Sequence, residues 1–348
     1  MITHHTHNSH EIIFIAACVI LISMSGCIDN NKAQSSGVKD KADQKNSSIE
    51  EKNSSFILTS DGIPLRYAIH GEGPPVFFVL GYGMTIDEWP HRIISNLARN
   101  HTVIVYNHRG ISGVHNPYVP FTIPQGAMDL HDVITQLAGG KKECGSSDDG
   151  LNSDETRTLE KGNGTALPVD IVGYSMGGMI ALEYAKTYPD SVNHLVLIST
   201  DCGGAEKVPA EPWLIEEMGQ TLNNPKEYLE RAGRLLLTDE FRTSHPDPYT
   251  WFVDYGEVAD PAAVQEQYES FLSWKGVYAD LPSIHCSTLV ITGDQDLVIP
   301  PENAVIIADA IPNATLIIRK GQGHGMIFVE PEEIAGIIEE FLEGRVLN

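Results

Sequence analysis

The chain has 348 residues, 42% of them apolar, which is enough to enclose one large core or two small ones. Lys and Arg number 23 against 47 Asp and Glu, a formal charge of −24 that repels nucleic acid and anionic lipid headgroups. No basic cluster interrupts this excess, so nucleic acid is excluded as a partner, while the acidic surface by itself names no substrate.

The first residues differ from the rest. Ile12 to Met24 is an apolar run of 13 residues, short for a bilayer span and the right length for a signal-peptide core. It ends in Met24-Ser25-Gly26-Cys27, which resembles the lipobox of prokaryotic lipoproteins, where small residues precede a cysteine that becomes lipidated and N-terminal. The resemblance implies lipidation at Cys27 and an extracytoplasmic, membrane-anchored protein. An uncleaved anchor over residues 1–27 is the alternative. Residues 28–55 are Asn, Lys, Ser, Asp and Gln with little to bury, the composition of a disordered tether.

The expected core covers residues 56–202 and 283–348. Phe56 to Thr59 and Pro64 to His70 flank Asp61-Gly62 and predict a hairpin. Val76 to Leu80 is an apolar run and reads as a buried strand, followed by Gly81-Tyr82-Gly83 and a helix around Glu88 to Arg99. Thr102 to Tyr106 is a strand and Gln125 to Leu137 a helix. Residues 139–167 are polar, glycine-rich and too long for an ordinary connection, so they read as a surface insertion. Strands are expected at His194 to Ser199, Ser287 to Thr292 and Ala314 to Arg319, and helices at Pro301 to Ile311 and Pro331 to Leu342. This alternation predicts a mostly parallel sheet with helices on both faces. Residues 203–282 break the alternation with helical periodicity and no strong strand, and are expected to form a lid over the C-terminal edge of the sheet.

The stretch with the most chemistry is Val169-Asp170-Ile171-Val172-Gly173-Tyr174-Ser175-Met176-Gly177-Gly178-Met179. A β-branched run enters Gly-x-Ser-x-Gly and continues into apolar residues at helical spacing, which puts Ser175 on a strand-to-helix turn. A turn that sharp leaves no room for side chains at Gly173 and Gly177. The helix that follows aims its N-terminal amides at any oxyanion formed beside Ser175.

Together with two later motifs, this stretch resembles the α/β-hydrolase fold superfamily over roughly residues 56 to 347. Gly173-Tyr174-Ser175-Met176-Gly177 is similar to its nucleophile elbow. Gly293-Asp294-Gln295-Asp296 after a strand is similar to its acid loop, and Gly323-His324-Gly325 after the last strand to its histidine loop. The order serine, acid, histidine is the one this superfamily uses. The resemblance implies an eight-stranded sheet with a helical lid after the sixth strand. It also implies a Ser175–His324–Asp296 triad that cleaves an ester or related acyl bond through an acyl-enzyme. Asp294 and Asp201 remain alternative acids. The expected oxyanion donors are the backbone amides of Met176 and Tyr82, because Gly81-Tyr82-Gly83 resembles the family's His-Gly-x-Gly segment with Leu80 in place of histidine. Asn107-His108-Arg109-Gly110 resembles its Asp-x-Arg-Gly turn.

Carboxylic-ester hydrolysis is the default reading. Lipase, thioesterase, lactonase, C–C hydrolase, aminopeptidase and cofactor-free haloperoxidase chemistry share the same residues, and a non-catalytic binding scaffold is the alternative of another kind. No cofactor is implied, since neither a phosphate-binding loop nor metal-ligand spacing is present. Trp213, Trp251 and Trp274 fall in the expected lid, as candidates either for lining a pocket for an apolar small-molecule substrate or for packing the lid's own interior. Cys202 and Cys286 flank the lid, where a bridge between them is conceivable.

Overall fold

The computed structural model describes residues 55–114, 116, 118–138, 168–220, 225–252 and 257–345. Cys27, the leader, nearly all of the tether and residues 139–167 lie outside these. Eight strands form one sheet: β1 (Ser55–Leu58), β2 (Pro64–His70), β3 (Pro75–Val79), β4 (Thr102–Tyr106), β5 (Val169–Tyr174), β6 (Val192–Ile198), β7 (Ser287–Gly293) and β8 (Ala314–Arg319). Their order is β1-β2-β4-β3-β5-β6-β7-β8. The hairpin β1–β2 is antiparallel and β2 runs antiparallel to β4, whereas every later pair is parallel.

Among the described residues three α-helices precede β6: α1 (His91–Leu97), α2 (Ile123–Leu137) and α3 (Met176–Thr187). Four lie between β6 and β7: α4 (Pro212–Met218), α5 (Pro225–Leu236), α6 (Asp239–Ser244) and α7 (Pro261–Ser273). After β7 come α8 (Glu302–Ala310), α9 (Met326–Val329) and α10 (Pro331–Leu342). The helix expected around Glu88 to Arg99 is split into a 3-10 turn at Ile86–Glu88 and α1. Pro90 causes the break, since the residue before a proline is pushed out of the helical region, and Trp89 is extended at φ −64°, ψ 131°.

The strand pleat sorts alternate side chains into two cores. Phe77, Val79, Ile104, Tyr106, Ile171, Leu195 and Leu197 face one side, where Leu130, Ile180 and Ile307 of α2, α3 and α8 cover them. Val76, Phe78, Val103, Val105, Val172, Val196 and Ile198 face the other, beneath Ile93 and Leu97 of α1 and Ile334 and Ile338 of α10. Each fully buried Ile or Leu contributes roughly 1.5–3 kcal/mol relative to exposure, so both faces of the sheet are committed. The chain leaves β3 toward β4 on one side and returns through β5 toward β6 on the other. Their C-terminal ends therefore form the switch point at which open α/β sheets bind ligands.

Among the described residues the stretch between β6 and β7 holds helices and no strand, and it leaves and rejoins the core at one place. Gly203 has φ +67°, and a Cβ there would lie 2.5 Å from the Trp274 ring; a Cβ on Gly276 would lie 2.4 Å from the Gly203 carbonyl carbon. Val277 N–H donates to Cys202 O at 2.8 Å, closing the base of the excursion. Cys202 is buried, Cys286 is half-buried, and both are free thiols, so the conceivable bridge is not formed.

Candidate active site

Ser175 has φ +54° and ψ −122°, a backbone region that costs a non-glycine residue about 1–3 kcal/mol. Backbone hydrogen bonds pin it there. Ser175 N–H donates to Ile198 O (2.9 Å), while its own carbonyl accepts from Gly178 N–H (2.9 Å) and Thr200 Oγ1 (2.8 Å). The two elbow glycines are a matter of space: a Cβ on Gly177 would lie 2.1 Å from Val79 O, and one on Gly173 2.6 Å from Gly177 O. Strand β3 is thereby brought against the turn, and the serine hydroxyl stands at the N-terminus of the 12-residue α3.

His324 and Asp296 meet it from two loops. Ser175 Oγ lies 2.9 Å from His324 Nε2, and His324 Nδ1 lies 2.8 Å from Asp296 Oδ2. All three side chains are buried. Asp296 Oδ1 accepts the amides of Val298 (3.0 Å) and Ile299 (2.8 Å), which sets the plane of the carboxylate. Asp294 is exposed and accepts Gly321 N–H (2.7 Å), so it shapes the loop. Asp201 accepts Gly203 N–H (2.8 Å) and faces Lys207 at 3.5 Å; burial pushes its carboxyl up. Neither alternative acid touches the imidazole.

The histidine loop has supports whose roles no spacing in the sequence marks. Tyr174 packs its ring 5.3 Å from that of His324 and donates its hydroxyl to His324 O (3.2 Å). Burial first, then the Asp296 charge, holds this phenol well above its ordinary pKa, so it stays a donor. Gly325 N–H donates to Leu236 O at the end of α5 (2.7 Å), tying the loop to the helical excursion.

The amides of Tyr82 and Met176 donate to no protein acceptor among the described residues, and Met176 is the first residue of α3, where helical amides have no intrahelical partner. Leu80, in place of the family's histidine, is fully buried, and its carbonyl accepts from His108 Nε2 at 2.9 Å. Burial lowers the His108 pKa to about 4, so the ring is neutral with its proton on Nε2. Arg109 is structural: its Nε donates to buried Asp129 (2.7 Å) and its Nη1 to Asp61 (3.0 Å). Asn107 Oδ1 accepts Ile86 N–H (2.8 Å), which holds the far end of the loop after β3.

The model of the alpha/beta hydrolase fold family matches residues 74–331, well over half the chain. The chain belongs to the alpha/beta hydrolase fold family. It is 31% identical over 182 residues to the poly(3-hydroxyalkanoate) depolymerase of Ectopseudomonas oleovorans, a match taking in 50% of this chain and 61% of that protein, less than two thirds of its length. It is 26% identical over 302 residues to the proline iminopeptidase PfmaB of Pestalotiopsis fici, covering 81% of this chain and 97% of that one. Among solved structures, a thermophilic esterase from Thermogutta terrifontis is similar with TM-score 0.63 and 21% identity, over 84% of this chain and 97% of that one, a likeness of fold.

Within this alpha/beta hydrolase the three tryptophans expected in the lid go separate ways. Trp251 is buried, with its ring against Gly233 of α5, where a Cβ would lie 2.2 Å away. It lines a cavity of about 490 Å³ with Arg234, Arg242 and Thr243, and none of Ser175, Asp296 or His324 lines that cavity. Trp274 packs on Gly203 at the base of the excursion, and Trp213 is half exposed. These contacts belong to the excursion's own packing. The loop after β3 is reached by Gln267, Tyr268 and Phe271 of α7; the two aromatics stand among those that accompany the tryptophans in the sequence, whereas nothing there singles out Gln267.

Proposed function

We propose that this alpha/beta hydrolase cleaves a carboxylic ester with Ser175 as nucleophile, His324 as general base and acid, and Asp296 as the group that orients the imidazole. The observation that carries the reading is the unbroken relay from Ser175 Oγ to His324 Nε2 (2.9 Å) and from Nδ1 to Asp296 (2.8 Å). A serine hydroxyl does not ionise near neutrality and needs such a base. As Oγ attacks the ester carbonyl its proton passes to Nε2, and the C=O electron pair becomes an oxyanion facing the Tyr82 and Met176 amides. Collapse breaks the C–O bond, the alcohol leaves with the proton from Nε2, and Ser175 is acylated. Water attacks by the same route and releases the acid. Each oxyanion donor supplies on the order of 3 kcal/mol of barrier lowering. The helices between β6 and β7 act as a lid: α5 reaches the histidine loop and α7 the loop after β3.

The test is a panel of short p-nitrophenyl esters, thioesters, lactones and proline amides compared by kcat/KM. Esters should lead, and activity should fall by roughly four to six orders of magnitude in Ser175→Ala. A second reading, cleavage of an N-terminal proline amide, rests on the coverage of the iminopeptidase relative, and proline amides leading the panel would select it. We further propose that the domain is held outside the cytoplasm by lipid on Cys27. Radiolabelled lipid incorporation should vanish in Cys27→Ala, and label that persists would reject lipidation there.

A further inference from the structure

The segment Leu80-Gly81-Tyr82-Gly83 carries the Tyr82 amide on the peptide plane between Gly81 and Tyr82. A peptide plane is rigid, but the glycine dihedrals beside it are not, so the direction of that N–H depends on what holds the planes on either side. On the near side the Leu80 carbonyl accepts from His108 Nε2 at 2.9 Å. On the far side Gly83 N–H donates to Gln267 Oε1 at 2.8 Å. The Tyr82 side chain is anchored to the same helices: its ring lies 5.5 Å from Phe271 and 6.3 Å from Tyr268, and its hydroxyl donates to Met218 O at 3.4 Å.

Gln267 is 0% exposed, and with Oε1 engaged its Nε2 has no partner among the described residues. An apolar side chain of similar size would fill the position without stranding a donor, so packing alone gives no reason for an amide there. Its neighbours on α7 serve a different segment, since Glu266 accepts Phe121 N–H (3.1 Å) and Ser270 accepts Ile123 N–H (2.8 Å) at the start of α2.

We propose that Gln267 is a positioning residue that aims the Tyr82 amide by holding the Gly83 N–H, so that the helical excursion completes the oxyanion hole. This rests on the reading of Tyr82 as an oxyanion donor to a Ser175 ester adduct. It predicts a defect confined to the transition state.

The test compares Gln267→Met and Gln267→Asn, which withdraw the acceptor, with Gln267→Glu, which keeps one, and with Gln265→Met at an exposed position of the same helix. Each is measured for kcat and KM on a short ester and for Ki of a trifluoromethyl ketone, whose tetrahedral adduct places an oxyanion in the hole. In Gln267→Met and Gln267→Asn, kcat should fall roughly 10- to 100-fold and the ketone weaken by the same factor, with KM within about threefold of wild type. Gln265→Met should stay within about threefold of wild type throughout, and Gln267→Glu, which keeps the acceptor but buries a carboxyl, should lose less than either acceptor-withdrawing variant. Wild-type kcat and Ki in a folded Gln267→Met or Gln267→Asn would overturn the proposal, as would an equal loss in Gln267→Glu. If Gln267→Met does not fold, the Asn and Glu pair decides. Ester activity surviving in Ser175→Ala would instead show that the underlying reading had failed.

Discussion

Asp296→Asn separates the orienting role of the acid from its bulk. Oδ1 of Asp296 accepts two backbone amides, from Val298 at 3.0 Å and Ile299 at 2.8 Å, so an asparagine must leave its oxygen on that side. Its new NH2 then occupies the place of Oδ2, 2.8 Å from His324 Nδ1. Two donors cannot face each other, and Oδ1, 3.0 Å from Nδ1, already accepts both amides, so Nδ1 gives up its hydrogen to accept from the new NH2 and the ring takes the Nε2–H tautomer. Nε2, 2.9 Å from Ser175 Oγ, can then no longer accept the serine proton. The expected loss is roughly ten-thousand-fold in kcat, about 5 kcal/mol of barrier, with KM and melting temperature near wild type because shape and burial are kept. Steady-state hydrolysis of a p-nitrophenyl ester at pH 8, beside a thermal melt, measures both. A folded Asp296→Asn that keeps more than about a tenth of wild-type kcat would refute the tautomer argument.

Gly177→Ala places a Cβ 2.1 Å from Val79 O and 2.6 Å from Leu80 O, a clash with backbone that no rotamer relieves. It should destabilise by about 3 kcal/mol or more in urea unfolding, and a loss under about 1 kcal/mol would contradict the packing described. His108 gives a pH signature. Its folded pKa of about 4 lies below the ordinary 6.5, so between these values the unfolded chain binds more protons and stability falls as pH falls. Against His108→Gln, which does not titrate and can still donate to Leu80 O, wild type should lose about 3 kcal/mol between pH 7 and pH 4. Parallel stability curves would rule this out. Arg109→Met leaves Asp129 buried without its main partner and should cost about 3–5 kcal/mol, read by the urea midpoint; no change would show that the pair is idle.

The fold was legible because its signals are local and repeat. β2, β4 and β8 begin and end at the expected residues, and the other strands shift by no more than two residues at either end. The main departure was the split before α1, where Pro90 overrode a helical periodicity. At the site, Ser175, Asp296 and His324 could be picked out because each sits in a short glycine-marked loop whose spacing carries the pattern, and the structure brings these three together. Their supports could not be read in the same way. Thr200, Tyr174, Leu236 and Gln267 act through contacts formed only when distant segments fold, each with a hydrogen bond to backbone, and no spacing in the chain announces such a bond. For the tryptophans the sequence leaves pocket and packing both open, and the contacts of Trp251 with Gly233 and of Trp274 with Gly203 follow the packing alternative.

The most direct measurement is the intact mass of the protein after treatment with a fluorophosphonate, followed by peptide mapping. A serine activated by a neighbouring imidazole should take up one phosphonyl group, mapped to Ser175, with none on Ser175→Ala and strongly slowed uptake on His324→Ala. A folded protein left unlabelled, or labelled equally well without Ser175, would contradict the account.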